Sequence, residues 1–136
     1  MIYPFASNER MLKITRSSEL LELLRSNQPS AECGTCNVLM SPGWESVPGS
    51  FDLKLLKIIG TLRNEDSPET WEEFHPNGTH SWSADAPIAI GYHPYSRCDI
   101  YQCVDCSRKY LRYGEYGGYY VDERVRPLTA AFIIES

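Results

Sequence analysis

The chain has 136 residues, a net charge of −5 and a hydrophobic fraction of 42%. These values predict one globular domain and exclude a disordered tail, and the acidic balance argues against a nucleic-acid-coating protein, which needs a basic surface. The start of the chain has no apolar run long enough for a signal sequence, and no stretch approaches the length of a membrane span, so we expect a cytoplasmic protein with reduced thiols.

The first predicted element is a short amphipathic helix over residues 18–27. Ser18 is a candidate N-cap, Glu19 falls in the first turn, and Pro29 ends the helical pattern. Four leucines at helical spacing predict a stripe that packs into the core: Leu20, Leu21, Leu23 and Leu24.

Two Cys-x-x-Cys steps are the strongest signal in the chain. A two-residue gap lets the backbone turn so that both sulfurs face one point, and two such steps can supply four thiolates to one tetrahedral Zn²⁺. We therefore predict a structural Zn²⁺ site formed by Cys33, Cys36, Cys103 and Cys106. The single domain would then comprise a first knuckle (33–36), an insertion (37–98), and a second knuckle with a β-hairpin (99–126).

Other interpretations of the cysteines stay open. Disulfides would leave one of the five cysteines over. The first step alone is compatible with redox chemistry, although a polar loop rather than a strand precedes it, and an iron–sulfur cluster also accepts four cysteines. Cys98 is predicted to be a small buried apolar residue. The alternative ligands that could replace one of the four cysteines are Cys98, His75, His80 and His93.

The insertion has weaker patterns. Leucine and isoleucine at helical spacing from Leu55 to Leu62 predict a second helix over 51–62, capped by Ser50; a buried strand through Leu55–Ile59 is the alternative. An Asn-Gly step at residues 77–78 predicts a hairpin between flanking aromatic residues. Residues 88–92 are predicted to form a strand.

The last third predicts a strand at Asp99–Gln102 that runs into the second knuckle and another at 109–115 that leaves it. Gly117-Gly118 supplies a tight turn, and residues 119–126 return as the partner strand. Pro127 ends the pairing, and Leu128–Ile134 is predicted to be a packed tail. The fold class is α+β, with short N-terminal helices and a zinc-ribbon-like antiparallel β-hairpin sheet.

The segment 64–74 contains five carboxylates, two aromatic residues and no lysine or arginine. It is either a solvated loop or helix start, or a docking face that steers onto a basic protein partner. The candidate partner-binding residues are Glu65, Asp66, Glu69, Trp71, Glu72 and Glu73.

No phosphate-binding glycine loop or metalloprotease motif is present. A four-thiolate zinc has no open coordination position, so we predict a protein that is not an enzyme. A Cys98–His93 nucleophile pair is one alternative. A nucleic-acid-binding zinc-ribbon module is another, and its contact residues would be Arg108, Lys109, Tyr110, Arg112, Tyr113, Arg124 and Arg126. Neighbouring carboxylates nearly cancel this positive charge, which predicts cross-strand arginine–carboxylate pairs instead.

From Gly60 to its end the chain resembles a set of small bacterial proteins of mostly unassigned role. The resemblance is carried by residues 72–79, by residues 82–89, by the second knuckle and by the aromatic run 110–124. Such proteins look like the immunity proteins that protect bacteria from the toxins used in competition. The resemblance therefore implies a partner-binding antitoxin and no catalytic residues.

Overall fold

A computed structural model of the chain describes residues 12–25, 33–39, 41–64, 70, 72–80, 83–116 and 121–134. Within these residues the fold is α+β, with one α-helix and a six-stranded mixed sheet. The elements are β1 (Leu12–Lys13), α1 (Ser17–Arg25), β2 (Glu45–Ser46), β3 (Leu56–Thr61), β4 (Asp99–Cys103), β5 (Lys109–Tyr116) and β6 (Val121–Pro127).

The strands lie in the order β1-β3-β4-β5-β6-β2, and β1 pairs in parallel with β3 while the other pairs are antiparallel. The sheet is therefore wider than the hairpin that the sequence predicts. None of the helical residues in the described ranges forms a segment with the length and apolarity needed to cross a membrane.

Helix α1 corresponds to the predicted first helix, but its N-terminus is stabilised differently. The helix begins at Ser17, so Ser18 lies inside it and the predicted cap is wrong. The Glu19 carboxylate instead accepts hydrogen bonds from the backbone N–H groups of Thr15 and Arg16, both at 3.1 Å. These bonds, the one from Thr15 first, lower the pKa of Glu19 because they stabilise its charged form.

Three of the four leucines of the predicted stripe of α1 face the core, and Leu21 is not part of that cluster. Leu20 is fully buried, and Leu23 and Leu24 pack against the same cluster. The predicted positions 26 and 27 lie outside the described residues.

The predicted second helix over 51–62 is wrong. Its first residues form a 3₁₀ turn at Leu53–Leu55, capped by Asp52 rather than Ser50, and Leu56–Thr61 is a strand. Strand β3 lies between β1 and β4, so pairing on both sides outweighs a weak helical pattern that contains β-branched residues and Gly60. A Cβ on Gly60 would lie 2.9 Å from the Leu12 carbonyl oxygen, so this glycine also allows β1 to approach.

The predicted Asn-Gly hairpin is wrong in its described part. Residues Pro76–Gly78 form a 3₁₀ turn, closed by the Thr79 hydroxyl donating to the Pro76 carbonyl at 2.8 Å. Pro76 fixes the backbone at the first position of this turn. The described residues on either side of the turn do not pair as strands. Ser81 and Trp82 lie outside the described residues.

The predicted strand over 88–92 is also wrong, because only Ile88 forms a bridge, with Ile133. That bridge and the burial of Leu128 confirm the packed tail. The strands predicted on both sides of the second knuckle are confirmed as β4 and β5. Their partner is confirmed as β6, whose predicted first residues, 119 and 120, lie outside the described residues together with the Gly117-Gly118 turn.

Strand register divides the side chains between two faces of the sheet. Ile100 and Leu111 are paired and belong to the face covered by α1, which we call the helix face, and Arg126 lies opposite Leu111 on it. The other face, the metal face, packs against a second small core. Its buried members are Cys36, Leu39, Leu56, Cys103, Tyr110 and Val125.

Candidate metal centre

Four cysteine sulfurs meet at the edge of the second core. The Sγ atoms of Cys33, Cys36, Cys103 and Cys106 all lie within 4.8 Å of one another. The Sγ–Sγ distance is 3.9 Å between Cys33 and Cys103 and 3.6 Å between Cys36 and Cys106, and all four are free thiols. A tetrahedral ion with 2.3 Å metal–sulfur bonds places its sulfurs about 3.8 Å apart. The spacing therefore fits one metal ion held by the four predicted ligands.

The second knuckle is the turn of the β4–β5 hairpin. Gln102 pairs with Lys109, and inside this pair the Cys103 N–H donates to the Arg108 carbonyl at 2.9 Å. The Ser107 N–H donates back to the Cys103 carbonyl at 3.0 Å, and Ser107 has a φ of 66°. The hairpin thus fixes the backbone that carries two of the four sulfurs.

A side-chain hydrogen bond also joins the first knuckle to the second, in addition to the contacts between their sulfurs. The Thr35 hydroxyl donates to the Asp105 carboxylate. Thr35 and Asp105 occupy the same position in their Cys-x-x-Cys steps, immediately before the second cysteine. This equivalence was visible in the sequence, although the Thr35–Asp105 contact was not predicted. Leu39, which is fully buried, extends the contact into the second core.

The sulfurs differ in their electrostatic environments. Backbone N–H groups of Cys36 and then Thr35 donate to the Cys33 sulfur and lower its pKa to about 6. Burial raises the pKa of Cys36 to about 12 and also raises the pKa of Cys103. Four thiolates at this spacing therefore require a cation, whose charge would deprotonate the buried pair.

Tyr110 provides an independent indication that the site suits a metal-bound thiolate. Its hydroxyl is buried and has no hydrogen bond of ordinary geometry within the described residues, yet it faces the Cys36 sulfur. Burial and this sulfur raise the pKa of Tyr110, so the hydroxyl stays protonated. A thiolate at Cys36 would give the O–H an acceptor, as second-shell donors do around metals. This role of Tyr110 was not predicted from the sequence.

The alternative ligands do not join this cluster. Cys98 is fully buried elsewhere, in the main core, and its Sγ donates to the Pro94 carbonyl at 3.3 Å, which confirms the prediction of a buried apolar residue. None of the three histidines belongs to the group of four. Burial also raises the pKa of Cys98 well above its usual value, which disfavours the Cys98–His93 nucleophile pair because the thiolate is the reactive form.

The residues of the nucleic-acid alternative are largely unavailable. Lys109, Tyr110, Tyr113 and Arg126 are all at most 7% exposed. Arg112 forms a predicted cross-strand pair with Glu123 at 2.9 Å, whereas Arg124 pairs within its own strand with Asp122 at 3.1 Å. This set does not form the exposed basic surface that nucleic-acid binding requires.

Within the acidic segment 64–74, the structure describes residues 64, 70 and 72–74. Glu65, Asp66, Glu69 and Trp71 lie outside the described residues. Glu72 and Glu73 are exposed, and Phe74 stacks on Tyr92 with ring centroids 5.4 Å apart while remaining 38% exposed. The Glu72 carbonyl accepts the His93 N–H at 2.7 Å. The C-terminal end of the segment is therefore anchored to the loop at 92–93.

Comparison with known proteins adds no relative. No protein-family model, no curated protein and no solved structure matches this chain.

Proposed function

We propose that the four cysteines bind one Zn²⁺ and that this ion is structural. The observation that supports this proposal is the closed donor set, in which four sulfurs fill every position of a tetrahedral ion. No position is left for water or substrate, so the ion would supply stability and no Lewis-acid chemistry. It would join residues 33–39 to the β4–β5 turn in a zinc-ribbon-like arrangement.

We expect the purified protein to contain one zinc per chain by elemental analysis. Iron is the other common ion for a tetrahedral site of four sulfurs, and it would be recognised by its visible absorption. A chain loaded with iron would refute the identity of the ion but not the site. A metal content well below one per chain, after expression with ample zinc, would refute the site itself.

We further propose that the protein is a non-enzymatic, cytoplasmic immunity protein that binds and neutralises a bacterial toxin. The closed metal site and the burial of Cys98 support a binding role rather than catalysis. The exposed carboxylates of Glu72 and Glu73, next to the partly exposed ring of Phe74, offer charge and apolar area for a basic partner. The resemblance to immunity proteins supports the same assignment.

The partner proposal predicts the effect of charge reversal. We take the product of the adjacent gene as the candidate toxin. The double variant Glu72→Lys with Glu73→Lys should bind this toxin about tenfold or more weakly, because like charges that face each other cost several kcal/mol. The measurement is the dissociation constant with the purified partner, together with rescue of cells that express it.

The matched control is Glu22→Lys with Asp85→Lys, which reverses two other exposed carboxylates and keeps the same net charge. Equal weakening by both double variants would show a general charge effect and refute this interface. An adjacent gene product that neither binds the chain nor harms cells would refute the immunity function.

A further inference from the structure

The metal face of the sheet carries a polar groove at the end away from the cysteines. Asp99 and Tyr101 on β4 and Arg112 on β5 share this face with Cys103, and Glu123 on β6 lies across from Gly114. The cavity has a volume of about 440 Å³, which is within the usual range for small-molecule sites. We call it the arginine groove, and its charged lining is Arg63, Arg97, Asp99, Arg112 and Glu123, with Tyr101 and Tyr113 as its aromatic residues.

Carboxylates hold two of the three guanidinium groups in fixed positions. Arg63 donates from Nε and Nη2 to the two carboxylate oxygens of Asp99 at 3.1 and 3.0 Å. Arg112 donates from Nε to Glu123 at 2.9 Å, and its guanidinium carbon lies 4.3 Å from the centroid of the Tyr101 ring. A fork held this way loses little side-chain entropy when it binds a ligand.

Both arginines keep N–H groups that these carboxylate pairs do not use. In the described part of the chain, neither Nη atom of Arg112 nor Nη1 of Arg63 donates to a protein acceptor. The Arg112 side chain is only 15% exposed, so its remaining N–H groups are partly removed from water. A ligand with negatively charged oxygens can accept from these remaining N–H groups.

We propose that the arginine groove binds a small molecule through an oxyanion, either a phosphate or a carboxylate. Arg112 and Arg63 donate to the oxyanion, and Asp99 and Glu123 orient the two forks. The ring of Tyr101, half-buried beneath Arg112, forms an apolar wall for the rest of the ligand. This site is separate from the metal centre and does not depend on the proposed partner.

The test is a titration of the full, metal-loaded chain with inorganic phosphate and, separately, with succinate at constant ionic strength. The Arg112 Nε–H resonance, followed by NMR, should shift and saturate with at least one of the two anions. Saturation by phosphate alone identifies a phosphate ligand, and saturation by succinate alone identifies a carboxylate ligand.

Two variants test whether the change in the Arg112 Nε–H chemical shift comes from anion binding in the arginine groove. The Arg63 side chain is 57% exposed, so Arg63→Gln should leave the fold intact. It should lower the affinity for the anion about tenfold. Arg25→Gln removes the same charge from an exposed position on α1 and should leave the affinity unchanged. No saturable shift with either anion, or equal losses in the two variants, would overturn the proposal.

Discussion

Removal of the metal should unfold the second core and release the first knuckle from the sheet. We expect Cys103→Ser, or chelation of the ion, to cost on the order of 10 kcal/mol, the contribution of structural zinc in small domains. Whole domains are stable by only about 5–15 kcal/mol. Two of the six buried residues of the second core, Cys36 and Cys103, belong to the four-sulfur group, so a bound ion would stabilise the same contacts as this core.

Denaturant unfolding with and without a chelator measures this effect, and hydrogen exchange at β4 and β5 locates it. The control is Cys98→Ser, the same chemical change at a fully buried cysteine outside the four-sulfur group. Its hydroxyl can still donate to the Pro94 carbonyl, so the metal content should not change. Cys103→Ser protein with full metal content and unchanged stability would contradict the site.

Each pair of sulfurs could be predicted because the geometry of a Cys-x-x-Cys step is local. Each Cys-x-x-Cys step brings two sulfurs together whatever the rest of the chain does, and two steps need one shared cation to be deprotonated. The strands beside the second knuckle were predictable for a related reason, since alternating side chains and a short turn determine a hairpin.

Elements that depend on distant partners were not predictable in the same way. The pattern from Leu55 to Leu62 also satisfies a helix, and what selects a strand is the pair of neighbours, β1 and β4, on its two sides. The arginine groove has the same origin. Arg63 and Asp99 are far apart in sequence, and only the register of β3 on β4, with Thr61 opposite Asp99, brings them together.

Strand β6 was predicted, but not the burial of both its faces at residues 125 and 126. Val125 belongs to the second core on the metal face, and Arg126, pointing the other way, is fully buried on the helix face. An arginine at this position would be expected to reach solvent. A charged side chain that is fully buried must satisfy its donors within the protein.

Arg126 satisfies its two Nη groups by joining three segments of the chain, while its Nε has no acceptor among the described residues. Its Nη1 donates to the Ala86 carbonyl at 3.0 Å and to the Tyr95 hydroxyl at 2.8 Å, and its Nη2 donates to the Pro42 carbonyl at 3.2 Å. Burial raises the pKa of Tyr95, and the charge of Arg126 partly opposes that shift. The guanidinium therefore holds the segments around residues 42, 86 and 95 on the helix face of β6.

We expect Arg126→Met to lower the free energy of unfolding by about 2–6 kcal/mol, because two buried acceptors, the Ala86 carbonyl and the Tyr95 hydroxyl, would lose a donor at about 1–3 kcal/mol each. Arg126→Lys should recover only part of this loss, since an ammonium group cannot span the same acceptors as a planar fork. Denaturant unfolding of the metal-loaded chain measures both.

The matched control is Arg124→Met, two residues earlier on the same face, where the pair with Asp122 is partly exposed and should contribute about 0–1 kcal/mol. Similar losses for Arg126→Met and Arg124→Met would show that Arg126 does not hold these segments together.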